Sequence, residues 1–276
     1  MIGAIIGDIV GSTREFDPIK TKDFVLIPAG SDYTDDSLMT IAVARAFNAS
    51  IDGESRNLQK LEALLPVLMR EIGRRFPYPK GAYGGRFARW LRSDDEGPYN
   101  SWGNGAAMRV SAAGELARTL DDALVFAEYS AKTTHGHPEG IKGAQATAIY
   151  LARHGASKDD IRAAIDADFY PVDRTLDEIR PTYAFDESCR GTVHESLITF
   201  LESTDYVDAP RNAVSLGGDA DTMGAITGSV AWSYYAANGE VSDEMRELAE
   251  KAISLLPADL GAYVIEYEKR LTTPAI

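Results

Sequence analysis

The sequence predicts an all-α protein built as one compact domain. Three observations carry that reading. Apolar residues recur at the 3.6-residue helical period along most of the 276 positions. One segment only, Phe24–Ile27, has the character of a strand, and it is short. No internal repeat, low-complexity tract or linker rich in Pro, Gly and Ser divides the chain, so a single domain spanning 1–276 is expected.

The elements follow in chain order. Gly3, Gly7 and Gly11 fall four apart, as do Gly224 and Gly228 in a segment that continues to Ala231 and Trp232. Each glycine costs a helix about 1 kcal/mol relative to alanine. Residues four apart share one helix face, so close helix–helix approach is the compensation expected, although ordinary tight packing explains the glycines equally well. The stretch from Asp36 to Phe47 is apolar nearly all round (Leu38, Met39, Ile41, Ala42, Val43, Ala44, Ala46, Phe47), the pattern of a buried helix. These three helices are expected at the centre. Residues 58–75 place Leu58, Leu61, Leu65, Leu68, Met69 and Ile72 near the helical period, with a kink expected at Pro66. Helices are also expected over 104–118, 121–132, 140–154 (closed by His154-Gly155), 157–168, 190–202 and 242–271. Ser157, ahead of Lys158-Asp159-Asp160, is the expected N-cap of the fourth of these.

Composition narrows the function. Forty-two acidic against 28 basic side chains give a net charge of −14, which disfavours nonspecific affinity for nucleic acid or an anionic membrane. With 45% hydrophobic residues the chain can bury a large core, and disorder is not expected. The single cysteine, Cys189, forms no internal disulfide, which fits a reducing compartment. The opening segment lacks a basic start and carries Asp8, so it does not read as a signal peptide, and no apolar run reaches the ~18 residues of a membrane span. A cytoplasmic, monomeric protein with neither membrane nor stable nucleic-acid attachment is the expectation.

The acids are unevenly placed. Thr34-Asp35-Asp36 and Asp219-Ala220-Asp221-Thr222 stand at the N-terminal ends of two of the central helices. Residues 23–44 contain four acids and no Lys, Arg or His, and residues 212–245 contain no basic residue. Carboxylates at helix starts cap free N–H groups and favour the helix dipole. Packed together without counter-charge they would instead repel unless a cation lay between them. Hard oxygen ligands of this kind suit Mg²⁺, Mn²⁺ or Ca²⁺ rather than zinc. Both readings stand on residue chemistry alone.

Other motifs fit less well. An isoprenoid-synthase DDxxD needs an acid where Met39 stands, and His194-Glu195 is followed by Ile198 rather than the second histidine of a zincin. His135-Gly136-His137-Pro138 reads as a polar loop at a ligand or as a zinc fragment. No phosphate-binding P-loop occurs, and Gly103-Asn104-Gly105 lacks the third glycine and the strand of a dinucleotide fingerprint. The loop Gly97–Gly105 leads into a helix start, where backbone N–H groups attract phosphate and Tyr99 or Trp102 can stack on a base; a tight loop without a ligand is the alternative.

Five ordered blocks give a more specific signal: Gly3 to Ser12 with Glu15; Thr34 to Ser37 with its apolar helix; Gly103 to Arg109; Thr134 to His137; and Gly217 to Ala225. In these blocks, and over essentially its whole length, the chain closely resembles the ADP-ribosylglycohydrolase family, whose namesake is the dinitrogenase reductase-activating glycohydrolase. The resemblance implies an all-α orthogonal helical domain with two Mg²⁺ or Mn²⁺ ions. Matched position by position, it implies Thr34, Asp35, Asp36, Asp219, Asp221 and Thr222 as metal ligands. Glu15 matches a loop glutamate at the metals and scissile bond, and Glu15, Asp35 and Asp36 are the candidates for accepting the proton of the attacking water. Asn100, Ser101, Trp102, Gly103 and Asn104 match a loop that holds the diphosphate and ribose, and His135 matches a histidine lining the same cleft. Two positions depart from the family pattern. Ser37 stands where threonine is frequent, and Trp102 where a smaller aromatic is common.

The implied reaction is hydrolysis at C1 of the distal ribose of an ADP-ribosyl group on a protein, nucleic acid or small molecule, through an oxocarbenium-like transition state. The competing readings are a noncatalytic ADP-ribose binder on the same fold and a metal-dependent hydrolase of another phosphorylated nucleoside. The intact set of Glu15 and six ligand candidates argues for the enzyme. The loops 76–100 and 170–190 are expected to select the acceptor. Arg74, Arg75, Lys80, Arg86, Arg89 and Arg92 form a basic run that faces either a polyanionic substrate or solvent.

Overall fold

The computed structural model describes residues 1–52, 55–151 and 155–272. Its helices are α1 (Ile2–Gly11), α2 (Asp35–Ala49), α3 (Leu58–Arg75), α4 (Gly85–Arg92), α5 (Gly105–Met108), α6 (Ser111–Glu115), α7 (Leu120–Lys132), α8 (Pro138–Leu151), α9 (Lys158–Asp168), α10 (Leu176–Ile179), α11 (Cys189–Leu201), α12 (Asp208–Ser215), α13 (Ala220–Ala237), α14 (Asp243–Leu255) and α15 (Ala258–Thr272). Among the described residues the sheet content is one antiparallel pair, β1 (Ile51–Asp52) with β2 (Ser55–Arg56). The fold is therefore all-α.

The glycine seam sets the centre. Every residue of α1 is buried, and the helix runs antiparallel to α13 with Gly3, Gly7 and Gly11 opposite Gly228, Gly224 and Ala220. A Cβ at Gly7 would fall 3.0 Å from the backbone nitrogen of Ala225, and one at Gly11 2.5 Å from the Cα of Asp221. Backbone thus meets backbone, which repays the helix propensity these glycines forgo. Helix α2 completes the centre with Leu38, Met39, Ile41, Val43 and Phe47 buried. Around this trio one hydrophobic core draws residues from Met1 to Tyr267.

Several expectations need correction. Phe24–Ile27 is not a strand. Its carbonyls are taken by side chains instead of a neighbouring strand, Arg211 donating to Phe24 O at 2.6 Å and Lys251 to Ile27 O at 2.7 Å. The helix expected over 104–118 is two, because the chain turns at Arg109 (φ −101°, ψ 5°) between α5 and α6. The helix expected over 242–271 breaks at Pro257, which has no N–H to donate and holds Leu256 extended at ψ 153°. Helices α4, α10 and α12 were not anticipated; each is eight residues or shorter, too brief for the period to register. The expected close at His154 lies outside the described residues. Helix α3 matches its expected span and passes through Pro66 unbroken. Ser157 caps α9 as expected, in a reciprocal box with Asp160.

Candidate active site

The site begins with a buried carboxylate inside α1. Asp8 lies fully buried in a helix otherwise made of apolar residues and glycine. One oxygen accepts from the backbone N–H of Thr34 at 3.0 Å and of Ser37 at 3.1 Å, together with the Ser37 hydroxyl. The other accepts from the Thr34 hydroxyl at 2.8 Å. Asp8 thereby fastens the first turn of α2 to the central helix. Thr34 caps that turn by accepting from Asp36 N at 3.1 Å. Asp35 and Asp36, being the first two helical residues, are projected toward the start of α13.

The antiparallel seam brings the N-terminus of α13 to the same place. Glu15, from the loop after α1, offers a carboxylate oxygen that lies with oxygens of Asp219 and Asp221 inside a 4.8 Å group. Asp35, Asp36 and Thr222 line the cleft beside them. Capping accounts for these acids only in part, since backbone N–H groups at the helix starts bond Asp221 and Asp35. Asp219 occupies the N-cap of α13 without a side-chain capping bond, its carboxylate accepting from Asn104 Nδ2 at 2.6 Å instead. Asp36 Oδ1 and Asp221 Oδ1 are buried with no hydrogen-bond partner among the described residues.

The electrostatics match that geometry. Burial, reinforced by repulsion from Asp221, raises Asp8 to about 7 and Glu15 to about 8, with Lys80 pulling Glu15 the other way. The same two causes hold Asp35, Asp36 and Asp219 well above the ordinary carboxylate range. Asp221 is also raised by burial, and hydrogen bonds from Asp219 and backbone N–H groups draw it partly back. Six carboxylates therefore share one low-dielectric volume with no ion-paired Lys or Arg among the described residues. They cannot all ionise without added positive charge.

A cleft of about 580 Å³ opens above them, a volume suited to a nucleotide-sized ligand. One wall is the loop before α5. Ser101 N donates to Thr134 O at 3.2 Å, and Asn104 N to Glu187 O at 2.8 Å, so the loop is strung between two other segments. Ser101, Trp102, Gly103, Asn104 and His135 all line the cleft. Trp102 is 60% exposed at its rim. Two expected residues lie off the surface of the cleft. Asn100 packs its side chain beside Gly136, and Thr34 sits behind the acids, fully buried. Phe16 and Phe185, stacked at 6.4 Å, meet across the mouth. Of the basic run, Arg86 alone lines the cleft, over the ring of Tyr99 at 4.1 Å. Arg74 and Arg75 are engaged by Asp94 and Asp259, and Lys80 donates to Gly30 O.

Two residues of this site escaped sequence reasoning. Asp8 carried a usable signal, an acid between two glycines in an apolar helix. Arg109 closed a motif block, but nothing local shows that its guanidinium is buried beneath the cleft, where burial lowers it to about 10. The His194-Glu195 pair belongs to a separate cavity with Tyr170 and Arg174.

The fold and site together define an all-α protein with an acidic, hard-oxygen cluster flooring a ligand cleft. The chain belongs to the ADP-ribosylglycohydrolase family, whose model matches residues 1–270. A solved structure described as an ADP-ribosylglycohydrolase-related protein complex superposes with a TM-score of 0.58 at 25% identity, covering 95% of this chain and 96% of that one. Bovine (Bos taurus) ADP-ribosylhydrolase ARH3 is 26% identical over 183 residues, 49% of this chain and 50% of that protein. The ADP-ribosylarginine hydrolase Tri1 of Pseudomonas putida (strain GB-1) is 24% identical over 285 residues, 90% of this chain and 73% of that protein. The chain thus spans about half the length of the ARH3 relative it matches.

Proposed function

We propose that this chain hydrolyses the glycosidic bond at C1 of the distal ribose in an ADP-ribosyl conjugate and releases ADP-ribose. The single observation that carries the reading is the convergence of Glu15, Asp35, Asp36, Asp219 and Asp221 on a nucleotide-sized cleft, with no Lys or Arg ion-paired to them among the described residues. Family membership supplies the substrate class.

Two Mg²⁺ or Mn²⁺ ions fit the residues present. The donors are all hard oxygens, and two of them, Asp36 Oδ1 and Asp221 Oδ1, have no hydrogen-bond partner among the described residues. Thr34, Asp35, Asp36, Asp219, Asp221 and Thr222 would hold the ions. When bound, the ions supply Lewis-acid charge that neutralises the carboxylates and polarises substrate oxygens. The chain's own groups do the rest. Asp8 keeps Asp35 and Asp36 in register by anchoring their helix turn, and Asn104 orients Asp219. Glu15 is the carboxylate placed to take a proton from water, lying only partly buried at the edge of the cluster. The carboxylates around the ribose stabilise the positive charge that develops on the ring. Ser101 to Gly105 supply the wall for diphosphate and ribose, with the face of Trp102 open for stacking.

Phe16 and Phe185 stack at the cleft beside Glu15 and offer an apolar face to the acceptor. The relative with the longer alignment is named for ADP-ribosylarginine, which makes arginine conjugates the first to offer. The combined Asp35→Asn, Asp221→Asn variant is expected to lose hydrolysis while keeping the helical circular-dichroism spectrum. Full activity in that variant overturns the metal-centre reading.

A further inference from the structure

Arg109 is 1% exposed, and its hydrogen bonds run to Thr134 and His135 rather than to a carboxylate. Among the described residues no carboxylate pairs with it, and burying a guanidinium that way is costly, so what it does contact matters. Nη2 donates to Thr134 Oγ1 at 2.8 Å and faces His135 Nδ1 at 3.4 Å. Thr134 Oγ1 in turn lies 2.8 Å from His135 Nδ1.

The donor inventory leaves one solution. A guanidinium can only donate. The Thr134 oxygen accepts from it and keeps a second lone pair, so its bond to Nδ1 has no direction of its own; the guanidinium facing Nδ1 can only donate, and with Nδ1 accepting there the hydroxyl hydrogen points to it as well. Both groups beside Nδ1 are therefore donors, and Nδ1 must accept. A neutral imidazole has one proton, so that proton is on Nε2. His135 lines the cleft, and its Nε2 has no hydrogen-bond partner among the described residues. The neighbouring backbone leaves Nε2 clear: a Cβ at Gly105 would lie 3.2 Å from it, and one at Gly103 3.7 Å.

We propose that Arg109, acting directly and through Thr134, is a positioning residue that locks His135 as a neutral imidazole whose Nε2–H donates to an oxygen of the bound ligand. His135 is then a fixed donor for a diphosphate or ribose oxygen and not a proton shuttle. Burial and the Arg109 charge both keep its pKa well below the ordinary histidine range, in keeping with the geometry. Tyr99 also packs on the ring, 6.3 Å away between centroids. The ligand named here rests on the proposed function; the tautomer does not.

The test is side-chain ¹⁵N–¹³C correlation NMR of the intact chain at neutral pH, tractable with four histidines. His135 is expected as the Nε2–H tautomer. An Nδ1–H tautomer or an imidazolium overturns the proposal without any variant being made. Thr134→Val, close to isosteric, removes the hydroxyl. It is expected to broaden or shift the Nδ1 signal toward a tautomer mixture and to weaken ADP-ribose binding about tenfold, while Thr134→Ser restores both. Wild-type tautomer and affinity in Thr134→Val overturn the relay. If the tautomer is as expected but neither ADP-ribose binding nor hydrolysis occurs in the wild type, the lock stands and the functional reading falls.

Discussion

Replacing Gly11 by alanine tests how the fold positions the acids. The added methyl would lie 2.5 Å from the Cα of Asp221, whereas carbon atoms rest at ~3.5–4.0 Å. Helix α13 must therefore retreat by about 1 Å at its N-terminal end, where Asp219 and Asp221 project. Overpacking costs ~1–3 kcal/mol, and the better helix propensity of alanine returns about 1 kcal/mol. The net cost of ~0–2 kcal/mol should lower the melting temperature by up to roughly 8 °C for a chain of this size. Divalent-ion sites tolerate ligand displacements of only about 0.2 Å, so Mg²⁺ affinity should drop on the order of 10–100-fold. Gly3→Ala is the control. It crowds Gly228 and Trp232 at the opposite end of the same seam, and should destabilise comparably while leaving Mg²⁺ affinity unchanged. The assay is calorimetric Mg²⁺ titration beside thermal melts of all three proteins. Equal Mg²⁺ affinity in Gly11→Ala and wild type would refute the claim that the glycine seam registers the acids.

Three further outcomes are expected. Asp8→Asn turns an amide toward the N–H and hydroxyl donors of Thr34 and Ser37, and should cost about 1–3 kcal/mol in a thermal melt and weaken the Mg²⁺ response; unchanged values of both would contradict the anchoring role. In metal-free protein, Asp8 and Glu15 are raised from 3.8 and 4.5 to about 7 and about 8. The neutral form is thus favoured on folding, and its stability is complete below about pH 4 and lost as pH rises through about 8. Melts of the metal-free chain should fall from pH 5.5 to 8.5, with Mg²⁺ raising them more at the higher pH, and a flat profile would count against the shared burial. Trp102→Ala, at a rim position 60% exposed, should leave stability within ~0.5 kcal/mol. ADP-ribose binding should weaken roughly tenfold by titration, the stacking contribution of ~1–3 kcal/mol; unaltered binding would remove Trp102 from the ligand.

Helices with a strong apolar stripe were legible residue by residue, and α3 runs over its expected span because Leu61, Leu65, Met69 and Ile72 all face inward. The glycine spacing foretold the central seam for the same local reason. What local pattern does not encode is where side chains reach. Phe24–Ile27 has strand composition, yet distant Arg211 and Lys251 claim its carbonyls. The break at Arg109 serves a guanidinium that reaches Thr134, 25 residues on. For the acids, sequence chemistry left capping and ion binding level. The packed structure adds what the sequence lacks, two carboxylate oxygens, Asp36 Oδ1 and Asp221 Oδ1, buried without hydrogen-bond partners among the described residues. His135 was legible as a cleft residue through the family motif, but its tautomer follows from donors that converge only in three dimensions.

The central claim is a cation-dependent ADP-ribosyl hydrolase, and the most direct test offers the wild-type chain a panel of defined conjugates: arginine, serine, polymer, acetyl ester, nucleic acid and small molecule. Release of free ADP-ribose is followed with Mg²⁺, with EDTA, and with Mg²⁺ restored. The account predicts release from at least one conjugate in Mg²⁺, its loss in EDTA and its return on readdition. No release from any conjugate, with ADP-ribose still bound, would contradict it and leave a binding protein on a hydrolase fold.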